Sequence, residues 1–157
     1  MASQGNKKLS TAAQFFEDDD SKEGGNSDEY ERNASEKVVE LLNAATLAKD
    51  TTEKLDNLRV AQELLVNKDP NLLDNFLDEV MGFQKDRSQE VRKFVIGFIE
   101  EACKKDPELL PKVIANLQMM LGDQAGVIQK RVIQAMTHLY KVAFGWLSNA
   151  RTVTDRM

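Results

Sequence analysis

One histidine, His138, and one cysteine, Cys103, make up the whole imidazole and thiol inventory of the chain. A nucleophile needs an adjacent base and a metal needs several ligands, and neither residue has a sequence neighbour suited to either task. On a helical wheel His138 falls on the polar side near Gln134 and Lys141, and a lone solvent-facing histidine is a poor ligand or base. Cys103 falls on an apolar arc, where a thiol packs as a small hydrophobe. The glycines Gly24, Gly25, Gly122 and Gly126 match neither of the phosphate-cradling patterns. Glu100 and Glu101 lie on a polar helix side without an identifiable partner, and Met119 and Met120 read as core filling. The expectation is a chain with no catalysis of its own, no cofactor and no metal.

Charged residues at repeating positions carry more. Arg92 lies inside an apolar arc, where an unpaired charge would be expensive. Asp86, six residues earlier, is its natural partner, within the same unit or on the unit beside it. Asp123 and Gln129 occupy the matching places one unit later, a weaker version of the same device. Arg92, Asp86 and Asp123 are thus read as structural. Lys93 and Lys130 share one repeat position, and Lys104 and Lys141 share another three turns along the same polar strip. Stacked helices would align these four lysines as a basic patch. Such a patch suits RNA backbone or an acidic or phosphorylated peptide, and it equally fits an ordinary solvated helix face.

The elements that must position these residues are announced by a repeated phrase. "DPNLLDNFLDEV" starts at Asp69 and "DPELLPKVIANL" starts at Asp106, an interval of 37 residues. The register persists: Asp86 falls on Asp123, Val91 on Ile128, Val95 on Val132 and Ile96 on Ile133, while Asp50 and Leu55 suggest an earlier, weaker copy. Asp69 and Asp106 are good helix N-caps, and the prolines after them take the first helical position, where a missing N–H costs nothing. Each copy then reads as two helices, the first ending near Phe83 or Leu121 and the second starting near Ser88 or Gly126. The earlier unit pairs roughly residues 35 to 49 with 52 to 67.

The helix from Val91 carries Phe94, Val95, Ile96, Phe98, Ile99, Ala102 and Cys103 on an arc of roughly 200°, too wide for a helix lying on a single neighbour. Helix pairs recurring at this length predict an all-α fold, an α-solenoid of about three hairpins spanning about 35–67, 69–104 and 106–147. Val142, Ala143, Phe144 and Trp146 are apolar residues that a further unit would normally cover, so the array reads as truncated at its C-terminus.

Composition sets the remaining bounds. At 157 residues and 41% hydrophobic content the chain is long enough for one domain with a core. The net charge of −5 is concentrated in residues 1–33, an acidic, Gly- and Ser-containing lead-in expected to be largely disordered. Phe15 and Phe16 interrupt it and could dock on the domain or on a partner. Residues 151–157 read as a tail. No apolar run is long enough to span a bilayer, so no membrane insertion is expected, and one cysteine excludes an internal disulfide framework.

The stretches "NKDPNLLDNFLDEV" and "EVRKFVIGFIEEACK" resemble the N-terminal HEAT-repeat domain of the symplekin family, and "ASEKVVELLNAA" and "THLYKVAFGW" resemble its flanking helices. The likeness covers about residues 34 to 150. It implies a HEAT-type solenoid that serves as a nuclear scaffold of pre-mRNA cleavage and polyadenylation. It implies protein partners, namely cleavage and polyadenylation factors and a phosphatase acting on the C-terminal tail of RNA polymerase II. Members of that family are also described at cell junctions and in cytoplasmic polyadenylation. Symplekins are far longer than this chain, so no contact residue is carried over.

Overall fold

The structure, a computed structural model, describes residues 27–155, with the side chains of residues 28–145, 148 and 149. Phe15 and Phe16 lie outside the described residues, as does the side chain of Trp146. The described chain is all-helical, a stack of three helical hairpins with a solenoid-like arrangement. Hairpin one pairs α1 (Ser27–Leu47) with α2 (Thr51–Gln62), hairpin two pairs α3 (Leu73–Met81) with α4 (Gln89–Lys105), and hairpin three pairs α5 (Leu110–Leu121) with α6 (Gly126–Asp155). The second helices α2, α4 and α6 stack in order, α4 lying between the other two and also touching α3 and α5.

The central position of α4 explains the width of its apolar arc. Val91, Val95, Ile96, Phe98, Ile99, Ala102 and Cys103 are all fully buried, and Phe94 is half-buried beside them. Burying a side chain of this size contributes about 1.5–3 kcal/mol, so α4 supplies the middle of the core. Burial, with Asp106 as a second cause, pushes the Cys103 thiol up to about 11.

Local signals set the helix starts. Asp50 caps α2 by accepting from the Thr52 N–H at 3.4 Å, and Ser88 caps α4 by accepting from the Val91 N–H at 3.5 Å. Asp106 accepts from the Glu108 N–H at 3.1 Å, and Pro107 opens a 3-10 turn that leads into α5. Asp69 departs from this pattern: it is buried, makes no side-chain capping bond, and its Oδ2 has no hydrogen-bond partner. A π-helical turn, Glu63–Lys68, precedes it and winds in Leu64, Leu65 and Val66, all buried. The Asp69 N–H bonds back to the Leu64 carbonyl at 2.7 Å, and this wider winding turns the Asp69 carboxylate inward, away from the amides it was expected to cap.

Two helices exceed their expected ends. α1 begins at Ser27, with Asp28 and Glu29 in its first turn, where carboxylates oppose the helix dipole. α6 continues through residues expected to form a tail, as far as Asp155. Met119, expected to fill the core, is exposed on α5, and Ile133 is exposed although its repeat counterpart Ile96 is fully buried. Met120 is buried as expected. Among the described residues no helix is long and apolar enough to cross a membrane.

Candidate interaction surface

A ladder of charge links successive hairpins and fixes how the second helices lie against one another. Lys54, near the start of α2, donates to Asp86 Oδ2 at 2.7 Å, and Asp86 Oδ1 accepts from the Ser88 N–H at 2.8 Å. One hairpin later Arg92, near the start of α4, donates through Nε to Asp123 Oδ2 at 2.8 Å, and Asp123 Oδ1 accepts from the Ala125 N–H at 2.8 Å. Each aspartate therefore ties its own inter-helix turn to a cation from the preceding unit. Burial pushes the Asp86 carboxyl up, but the Lys54 ammonium and the Ser88 amide outweigh this and hold it below its ordinary value.

The expected pairing of Arg92 with Asp86 is met only through the backbone, since Arg92 Nη1 donates to the Asp86 carbonyl at 2.9 Å while the Asp86 carboxylate is taken by Lys54. The carboxylate of Asp123, on the next unit, is its charge partner. Gln129, at the Arg92 position of the third unit, turns back to the Asp123 carbonyl at 2.7 Å, so this row of cations stops there.

A second cross-helix contact comes from a residue expected to face solvent. Glu100 is buried at 5% exposure between α4 and α6, where Arg131 Nη1 donates to one oxygen and His138 Nδ1 lies 3.2 Å from the other. Burial alone would raise the Glu100 carboxyl, and the two α6 partners reverse that and lower it. His138 is exposed, as expected, yet it is tied to Glu100. The wheel of α4 gave no warning, because both partners come from another helix. One retrospective signal remains: Glu100, four residues after Ile96 and three before Cys103, lies only about 40° past the edge of the apolar arc.

The lysines lie on two adjacent helices. Lys93 is half-buried on α4, Lys104 is exposed on α4, and Lys130 and Lys141 are exposed on α6. Lys104 spends part of its charge on Glu101 at 3.3 Å, an exposed pair. Lys93, Lys130 and Lys141 have no hydrogen bond or ion pair among the described residues. On the opposite, outer surface Lys112 of α5 pairs with Asp74 of α3, and Asn116 donates to Gln84 at 3.0 Å. Between the first two hairpins a cleft is lined by Thr46, Lys54, Glu79, Gly82, Phe83, Lys85 and Asp86, with both signs of charge at its rim.

α6 differs from α4 in what it leaves uncovered. Ile133, Tyr140 and Phe144 are 57%, 71% and 63% exposed, with Met136 between them, and the Tyr140 and Phe144 rings stack at a centroid distance of 6.4 Å. Val142 and Ala143 are half-buried. What the arrangement offers chemically is a rigid helical wall with an apolar stripe and unpaired ammonium groups, a surface suited to macromolecules. No known family model matches the chain.

Proposed function

We propose that the chain is a non-catalytic, HEAT-type protein-interaction scaffold of pre-mRNA cleavage and polyadenylation, working in the nucleus with a polymerase-tail phosphatase and with cleavage and polyadenylation factors. The observation that carries the binding role is the α6 surface, where large apolar side chains stand exposed beside unpaired lysines on a wall held by the charge ladder. Exposed apolar patches rimmed by polar groups mark interaction sites. The assignment to 3′-end formation is supported by the resemblance of the stretches around Asp69 and Val91 to the symplekin repeats.

A second reading keeps the solenoid and makes Lys93, Lys104, Lys130 and Lys141 a direct site for RNA or for an acidic or phosphorylated peptide. The absence of ion-pair partners for Lys93, Lys130 and Lys141 among the described residues favours it. One experiment separates the two. The purified chain is used to pull down nuclear extract at low and high salt, and the captured material is assayed for polymerase-tail phosphatase and for cleavage factors. Salt-resistant phosphatase recovery supports the scaffold. Capture of RNA alone, lost at high salt, supports the lysine site. A folded chain that recovers neither overturns both readings.

A further inference from the structure

Ile133, Met136 and Tyr140 stand one repeat interval after Ile96, Ile99 and Cys103. The α4 residues are fully buried in the stack, whereas their α6 counterparts are exposed. The stripe is therefore built from interface positions, and Phe144 extends it by one turn. At about 100° per residue Lys130 and Lys141 lie along one edge of it, some 60–90° from its centre. Residues 126–149 contain Lys130, Arg131 and Lys141 and no acid, so an occupant of this face must bring both apolar groups and negative charge. A second copy of α6 would set lysine against lysine.

One segment of the chain has that chemistry. "AAQFFEDDD", residues 12–20, sets Phe15 and Phe16 directly before four consecutive acids, Glu17 to Asp20. Reach is sufficient. The ladder joins the start of α2 to the start of α4 and the start of α4 to that of α6, so the three second helices run parallel. α1 returns antiparallel to α2 through a short link, which puts Ser27 at the end of the stack where the C-terminal half of α6 lies. Ten residues, 17–26, lie between Phe16 and Ser27, which makes eleven residue steps. Extended, they span about 36–40 Å, whereas two inter-helix spacings from α2 to α6 come to about 20 Å.

We propose that residues 12–20 dock in cis on the α6 face, Phe15 and Phe16 against Met136, Tyr140 and Phe144, with the acidic run along Lys130 and Lys141. The tail then acts as an internal competitor for any partner that presents aromatic and acidic residues to the same stripe. This holds whichever partner the scaffold serves.

The test is a spin label attached to the full chain carrying Ser10→Cys; Cys103, fully buried, does not take the label. The methyl signals of isotopically labelled methionines are read. Cis docking predicts loss of the Met136 signal with Met119, exposed on α5, retained, and recovery of Met136 when Phe15→Ser and Phe16→Ser are added or salt is raised. These changes lie outside the described residues, and an unchanged helical circular dichroism separates loss of docking from loss of fold. Mixing spin-labelled, isotope-free chains with isotope-labelled, spin-free chains separates the sources: cis docking leaves Met136 sharp in that mixture, whereas broadening of Met136 there as well assigns the stripe to a second copy and overturns the proposal. An unaffected Met136 in both samples overturns it as well.

Discussion

Arg92 reaches forward out of its own hairpin to Asp123, 2.8 Å from Nε to Oδ2, and gives the nearer Asp86 no more than a contact with its carbonyl oxygen. The contact holds the second and third hairpins in one register, since a slip of one turn between α4 and α6 would strand both charges. Arg92→Ala is expected to cost about 2 kcal/mol, less than the range for fully buried pairs because both side chains retain some solvent contact. Arg92→Gln, which copies Gln129, should lose less. Urea unfolding checks this: a loss below about 0.5 kcal/mol for Arg92→Ala would mean that the apolar contacts alone set the register.

Glu100 makes stability depend on acid. Its carboxyl is held below its ordinary value of 4.5 in the folded chain, so near and below that pH the unfolded chain binds the proton more readily. The contribution from Arg131 and His138 is complete above about pH 4.5 and is lost as pH falls through the folded value. Asp86, also lowered, has the same sign from its ordinary 3.8 downward. Unfolding free energy measured from pH 6 to 3 should fall less steeply for Glu100→Gln than for the unaltered chain, and parallel curves would remove Glu100 from the account.

These two contacts show where reading the sequence stops. The period, the Asp106 cap and the burial of Val95, Phe98 and Cys103 follow from the chain's local pattern, and the structure agrees with each, whereas Asp69 departs from its expected cap. The carboxylate that Arg92 meets is decided by how one hairpin lies on the next, which no single helix encodes. The burial of Glu100 has the same origin, its partners being on α6. Ile133 was placed with Ile96 because repeats imply equal neighbours, yet α6 has no helix of this chain covering that side among the described residues. Of the candidate surface, the lysine positions were legible as a polar strip, while the exposure of the apolar stripe depends on what lies against α6, a side that no helix covers among the described residues.

The lysine strip gives a prediction that separates binding from stability. Lys93→Glu with Lys130→Glu changes residues that make no ion pair among the described residues, so unfolding free energy should move by no more than about 0.5 kcal/mol and helical circular dichroism should be unchanged. If the strip holds single-stranded RNA through all four lysines, the logarithm of affinity should fall against that of salt with a slope near −3, and the double variant should roughly halve it. Affinity that ignores both salt and the charge reversals would leave the lysines as a solvated face.

Asp69 and Asp106 open the same phrase and should nonetheless respond oppositely to substitution. Asp106 is partly exposed and caps the turn into α5 through the Glu108 N–H, so Asp106→Ala removes a satisfied acceptor and should cost about 1 kcal/mol. Asp69 is buried at 7% exposure with Oδ2 unpartnered, so its carboxylate carries a desolvation cost that no capping bond offsets. Asp69→Ala removes that carboxylate without breaking a capping bond, so it should cost well under about 1 kcal/mol or raise stability. The comparison needs only the two single variants and their denaturation midpoints. Equal losses at the two sites would mean that Asp69 caps its helix after all; a loss at Asp106 alone would show that the π-turn before Asp69 has turned a shared sequence signal to a different use.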